Sequence, residues 1–170
     1  MRMERPGVFW NLLTTFGLGY RQPASGTWGS LPSVALAGAM LACGAGPGSM
    51  PLIYFGVLGV VMVAFTLVCV LRGDEAEARW GVDPGQVVAD ETAGQCLALM
   101  FIPASAQADP RAAVFLLLAA FVLFRFFDII KLEPARSLQR VPGGWGIALD
   151  DWAAGLYAGV VVWVLGLMVT

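Results

Sequence analysis

Long apolar runs alternate with short polar stretches along this chain, and the runs have membrane-spanning character. Residues 51–71 are the clearest, with no charged side chain among them. A helix rises about 1.5 Å per residue, so a hydrocarbon core of about 30 Å takes about 20 apolar residues. This run therefore predicts a spanning helix, and residues 112–130 and 151–170 read the same way. Residues 31–46 are marginal in length and end at Gly46-Pro47-Gly48, which pairs them with 51–71 as a hairpin. Residues 92–103 are short. They reach spanning length only if the segment begins near Gln86 and takes Asp90 and Glu91 with it, so a full span and a re-entrant half-helix both stay open.

The polar stretches complete the plan. Residues 1–22 set Arg2, Glu4, Arg5 and Arg21 around Val8-Phe9-Trp10-Asn11-Leu12-Leu13, too short a run to span. It predicts an interfacial helix with Trp10 at headgroup level. Residues 72–91 are the hydrophilic segment, read as a solvated loop with a short helix, and residues 131–149 as a second loop. The fold class is then all-α: a polytopic membrane helical bundle of about four to five apolar helices plus an N-terminal interfacial helix, in one domain over residues 1–170.

Several polar residues break the apolar pattern in informative places. Glu91, Gly94, Gln95 and Ala98 share one helical face, which suits packing rather than lipid. Arg125, Asp128 and Lys131 recur at three-residue spacing on one face. Asp151, Gly155 and Gly159 repeat every four residues; the glycines permit close helix approach within the chain or a seam between two copies, so a homo-oligomer is compatible with them. Ser25-Gly26-Thr27-Trp28-Gly29-Ser30, before Leu31-Pro32, reads as a helix start, with Pro32 in the first turn. It serves either as a simple cap and turn or as a cradle of N–H and hydroxyl groups for a phosphate.

Composition narrows the class. The chain is 58% hydrophobic and 13% charged, against about 25% charged in soluble domains. Mean hydropathy is +0.75. A net charge of −2 gives no footprint for nucleic acid. The chain has no histidine, which excludes His-dependent phosphatases and Ser-His-Asp or Cys-His nucleophiles. Cys43, Cys69 and Cys96 lie in apolar segments and read as small buried hydrophobes. No cleaved signal peptide is expected from the first 30 residues.

With a cytoplasmic N-terminus and alternating segments, only Arg111 of the 10 basic residues falls outside, as the positive-inside rule requires. Ser25–Ser30, Asp90-Glu91, Arg125/Asp128 and Asp150-Asp151 then arrive at one cytoplasmic surface. Adjacent carboxylates at that depth repel and resist desolvation unless a cation sits among them. Asp90, Glu91, Asp128, Asp150 and Asp151, without histidine or a usable thiol, suit a hard divalent cation such as Mg²⁺. Arg125 and Lys131 would neutralise a phosphate, and water or an aspartate would be the nucleophile. The loop cysteine of a thiol phosphatase and the Asp-x-Asp of a dehalogenase-type one are both missing. A cation-coupled carrier using the same carboxylates is the alternative.

The motifs resemble those of the phosphatidylglycerophosphatase A family over nearly the whole length. They are Gly26-Thr27-Trp28-Gly29-Ser30; Asp90-Glu91-x-x-Gly94; Phe124-Arg125-x-x-Asp128-x-x-Lys131; and Gly143-Gly144-x-Gly146-Ile147-x-x-Asp150-Asp151-x-x-Ala154-Gly155. The resemblance implies a bacterial inner-membrane enzyme, multi-pass, with its site facing the cytoplasm. It implies Mg²⁺-dependent conversion of phosphatidylglycerol phosphate to phosphatidylglycerol and inorganic phosphate. It makes Asp90, Glu91, Asp128, Asp150 and Asp151 the expected metal ligands, and favours Ser25, Gly26, Thr27, Gly29 and Ser30 as phosphate contacts. Asp150, Asp151, Asp128, Arg125 and Lys131 are the expected catalytic set. Where the family continues Lys-Pro-x-Pro-Ile, this chain has Lys131-Leu132-Glu133-Pro134-Ala135, which adds an acid near the site.

Overall fold

A short, buried helix sits at the centre of the molecule and the longer ones pack around it. In the computed structural model of the chain, residues 7–82 and 84–169 are described; Arg2, Glu4, Arg5 and Asp83 lie outside the described residues. The helices are α1 (Val8–Leu13), α2 (Ser25–Ala42), α3 (Pro51–Trp80), α4 (Ala89–Leu99), α5 (Pro110–Ile130), α6 (Ala135–Leu138) and α7 (Gly144–Val169), with no strand among the described residues. All of α4 except Glu91 and Leu97 is buried, and it packs against α2, α3, α5 and α7.

The all-α membrane bundle read from the hydropathy pattern is the fold observed. Among the described residues three helices are long and apolar enough to cross a membrane: α3 with 30 residues, α5 with 21 and α7 with 26. The other two apolar runs go elsewhere. Residues 31–46 fall mostly in the later turns of α2, whose first turns are serine, glycine and threonine, and 92–103 contributes the body of the 11-residue α4. At about 1.5 Å per residue α4 is too short to span.

Three boundaries differ from the sequence reading. The hydrophilic stretch after residue 71 begins as helix rather than loop, because α3 continues to Trp80; the loop starts at Gly81, at φ 98, and leads to α4 at Ala89. Gly73 and Ala76 face inward there while Arg72 and Glu75 pair outside, so charge along the stretch marks an amphipathic helix rather than a break. The stretch after Lys131 is not one loop either: it holds α6, and α7 begins at Gly144 rather than near Asp151. Gly143 turns at φ 73, and a side chain at Gly144 would strike the Cys69 carbonyl, so these glycines bring the start of α7 onto α3. Asp150 and Asp151 therefore stand in the second turn of a helix. Finally, α2 starts at Ser25 after Ala24 in the left-handed conformation (φ 64), which leaves Pro32 inside the helix.

The N-terminal segment docks against the end of α3. Trp10 meets Trp80 edge to face at 5.2 Å, Arg79 lies 5.2 Å over the Trp10 ring, and Val8 and Phe9 stay exposed. Aromatic rings with arginine beside exposed apolar groups are what an interfacial anchor needs. Cys69 and Cys96 are buried as expected; Cys43 is exposed, because α2 ends at Ala42.

The contact between α4 and α7 is backbone on backbone. A side chain at Gly94 would collide with the Asp151 carbonyl, one at Gly155 with the Gly94 carbonyl, and one at Gly159 with the Phe101 ring. These glycines are used inside the chain, and they bring Asp151 beside the start of α4. Replacing Gly155 with leucine is expected to lower the melting temperature of the detergent-solubilised protein, by roughly 1–3 kcal/mol or more of overpacking. Thermal melting followed by size-exclusion chromatography checks it; an unchanged melt would mean that the two backbones do not touch.

Candidate active site

Four helix ends build the site. The first turn of α4 carries Asp90 and Glu91, where the helix dipole favours negative charge. The last turns of α5 carry Arg125 and Asp128, and α5 stops at Lys131, whose left-handed conformation (φ 49) closes the helix. The second turn of α7 supplies Asp150 and Asp151. The first turn of α2 supplies Ser25 to Ser30.

The structure sorts the acids into two groups. Asp90, Glu91 and Asp151 each bring a carboxylate oxygen within 4.8 Å of the others. The other two each hold a basic side chain: Asp128 Oδ2 lies 2.8 Å from Arg125 Nη1, and Asp150 Oδ2 accepts from Lys131 Nζ at 2.7 Å. Arg125 Nη1 is also 3.9 Å from Glu91 Oε1, which joins the arginine to the three-acid group. Asp90, Asp150 and Asp151 are 6%, 5% and 3% exposed, so none has water enough to stabilise its charge.

Polar atoms without partners concentrate here. Glu91 Oε2, Asp151 Oδ2 and Arg125 Nε are buried without a hydrogen bond, as are both amide atoms of Gln95. Such a group left unpaired costs about 1–3 kcal/mol, more when charged. Burial above all pushes the Glu91 carboxyl up to about 8; the charges of Asp151 and Asp128 add to this, while the Asp90 hydrogen bond and Arg125 oppose it. Three converging carboxylates, two of them buried and that of Glu91 mostly so, with oxygen-only donors form a group that a small divalent cation fits and that is unfavourable when fully ionised alone.

The α2 residues divide by role. A methyl on Gly26 would strike Glu91 Oε1 and both terminal nitrogens of Arg125, so the helix start lies directly against the arginine and the acids. Gly29 packs on Val88, and Ser30, fully buried, donates to the Gly26 carbonyl at 2.9 Å. Ser25 and Thr27 are half-buried at the opening turn. A network that the motif reading did not contain locks α2 to α4: Ser33 donates to the Thr92 carbonyl at 2.8 Å, and the Thr92 hydroxyl lies 2.8 Å from the Gly29 carbonyl and 2.9 Å from the Thr15 hydroxyl. Isolated hydroxyls in apolar runs were the available signal. Glu133 turns away from the acids; its carboxylate accepts from the Ser137 N–H and hydroxyl at the start of α6.

The sequence profile of phosphatidylglycerophosphatase A matches residues 11–166, which includes every element of this site. The chain belongs to the phosphatidylglycerophosphatase A family. A Haemophilus influenzae protein named phosphatidylglycerophosphatase A is 37% identical over 161 residues, covering 91% of this chain and 86% of its own length. One of the same name from Escherichia coli is 30% identical over 168 residues, 98% of this chain and 87% of its own. A Bacteroides thetaiotaomicron protein, provisionally named a phosphatidylinositol-3-phosphatase, is 33% identical over 173 residues, 96% of this chain and 100% of its own. No solved structure matches. This member of the phosphatidylglycerophosphatase A family is an enzyme, a phosphatase, and its apolar helices associate it with a membrane.

Placing a methyl against the Arg125 guanidinium should misposition it by a fraction of its own length. Gly26→Ala is expected to cut phosphate release by about 10²-fold, the scale of a misplaced catalytic geometry, while the protein still purifies as a folded species. A colorimetric phosphate assay beside a melting curve reads both; wild-type turnover in the variant would show that α2 does not bear on the site.

Proposed function

We propose that the protein removes the terminal phosphate of phosphatidylglycerol phosphate, yielding phosphatidylglycerol and inorganic phosphate, in a Mg²⁺-dependent reaction at the cytoplasmic face of a bacterial inner membrane. The observation that carries this reading is the convergence of Asp90, Glu91 and Asp151 within 4.8 Å, between the ion pairs of Arg125 and Lys131. Two of the curated relatives carry the corresponding name.

Asp90, Glu91 and Asp151 would hold the cation; their donor set is all oxygen, which suits Mg²⁺. When bound, a divalent cation supplies neutralisation of phosphoryl charge and Lewis-acid polarisation of a phosphoryl oxygen. The chain's own groups do the rest. Arg125, steadied by Asp128, and Lys131, steadied by Asp150, bind phosphate oxygens with charge-assisted hydrogen bonds. The start of α2, with the Ser25 and Thr27 hydroxyls and the positive end of the helix dipole, would lie along the phosphate, the Thr27 and Trp28 N–H groups being held by the Ala24 carbonyl. In the net reaction the oxygen of water bonds to phosphorus and the bond from phosphorus to the glycerol oxygen breaks. One proton of that water ends on the released hydroxyl.

The lipid reaches the site from the side. Acids and cations gather at the end of the bundle where α5 finishes and α7 begins, while the outer faces of α3, α5 and α7 are apolar. The headgroup enters that polar end and the acyl chains remain in the bilayer. Among the described residues Arg111, at the start of α5, is the basic residue at the other end, and the positive-inside rule then turns the site to the cytoplasm.

Asp151→Asn and Asp90→Asn keep shape and remove charge. Each is expected to lower phosphate release by on the order of 10²–10³-fold with insertion and melting temperature retained. Purified protein in detergent, assayed with phosphatidylglycerol phosphate and with phosphatidylinositol 3-phosphate, is the test. Equal turnover by the asparagine variants would remove the site, and preference for the inositol lipid would remove the substrate.

Chelation separates the cation from the carboxylates. Treatment with EDTA is expected to abolish phosphate release and Mg²⁺ to restore it. Full activity after exhaustive chelation would leave the acids in another role.

A further inference from the structure

We propose that Gln95 is a positioning residue of this phosphatase site. With a divalent cation held by Asp90, Glu91 and Asp151, its amide would donate to the Glu91 carboxylate one helical turn away and fix the orientation of that ligand. The inference rests on the proposed cation-dependent hydrolysis and adds to it a residue that none of the motif residues includes.

Gln95 is 0% exposed, and neither Nε2 nor Oε1 has a hydrogen-bond partner. Buried polar side chains are nearly always paired, so an amide left unpaired in the cation-free protein is available to a neighbouring group that a bound cation orients. Gln95 follows Glu91 by four residues on α4, which puts the two side chains on one face, about one turn apart. Glu91 Oε2, Asp151 Oδ2 and Arg125 Nε are among the other buried atoms of this region without a hydrogen bond that complement an amide. Polar side chains on the neighbouring face are already used: Thr92, Ser33 and Cys96 bond to one another or to backbone.

The chemistry of an amide suits the position better than a hydroxyl or a fourth acid. It has two N–H donors for a carboxylate and a carbonyl acceptor for water, and it adds no charge to a group already crowded with negative ones. Held this way, Glu91 presents a set orientation to the cation, as groups behind metal-binding side chains commonly arrange. Arg125 and Asp128 face the cluster from α5, Asp150 and Lys131 from the α7 side, Gly26 from α2 and Cys69 from α3, while Gln95 comes from α4 itself, one turn after Glu91.

Gln95→Leu and Gln95→Met remove the amide while filling its volume. The full-length variants in detergent are expected to melt at or above the wild-type temperature without divalent cation, because an unpaired buried amide has gone. Their Mg²⁺ affinity, by calorimetry, is expected to fall about 10-fold or more, with a similar loss of phosphate release at fixed Mg²⁺. Variants that fold with wild-type Mg²⁺ affinity and turnover overturn the proposal while leaving the cation-dependent hydrolysis intact. Variants that both fail to fold overturn it too, since the amide is then part of the packing. A wild type that binds no Mg²⁺ and survives chelation defeats the cation reading first, and this one with it.

Discussion

Like charges buried close together are the constraint around which this bundle is built. Asp90, Glu91 and Asp151 bring oxygens within 4.8 Å of one another, with little exposure to water. Each carboxylate raises the free energy of ionising the next, and burial adds to this. A fold that keeps such a group must supply positive charge nearby. Arg125 and Lys131 come from the end of α5, and the first turn of α4 contributes the positive end of its dipole.

Holding the acids together places its own demand on the helices. Asp90 and Asp151 lie on α4 and α7, and ordinary side chains between those helices would separate them. Glycine at 94 and 155 lets one backbone rest on the other, and that approach brings Asp151 level with the start of α4. Glycine at 26 does the same for α2 against Arg125. The hydroxyl network of Thr15, Thr92 and Ser33 then fixes α2 against α4, and with it the start of α2 against the acids. A central helix that spans nothing is the consequence: α4 is short and buried because its task is to present two acids to its neighbours.

Different kinds of residue were legible to different degrees. Asp150-Asp151 and Asp90-Glu91 stand out because uncompensated charge beside an apolar run is expensive, and Arg125, Asp128 and Lys131 because their spacing sets them on one helical face. The division of labour among the five acids was not legible. Whether a carboxylate converges on a shared point or pairs with a lysine depends on distances between helices, which local spacing does not carry. Helix ends were misjudged for a related reason. Charge after residue 71 looked like a loop, but Gly73 and Ala76 supply an inward face that only the neighbouring α7 makes visible. Ser30, a phosphate contact by its motif, donates its hydroxyl to Gly26 within α2, a use that helix formation alone dictates.

The sequence by itself determined the all-α membrane class, the apolar character of α3, α5 and α7, and where the charged residues break the apolar pattern, because hydrophobicity and charge are properties of each position. It also carried the family, since ordered motifs survive without coordinates. Only the tertiary structure decided that α4 is a buried core helix rather than a span, that three acids converge while two pair with basic side chains, and that the Gln95 amide is buried without a hydrogen bond. Each of those depends on how closely separate helices approach, and that distance is set jointly by glycines far apart in the chain.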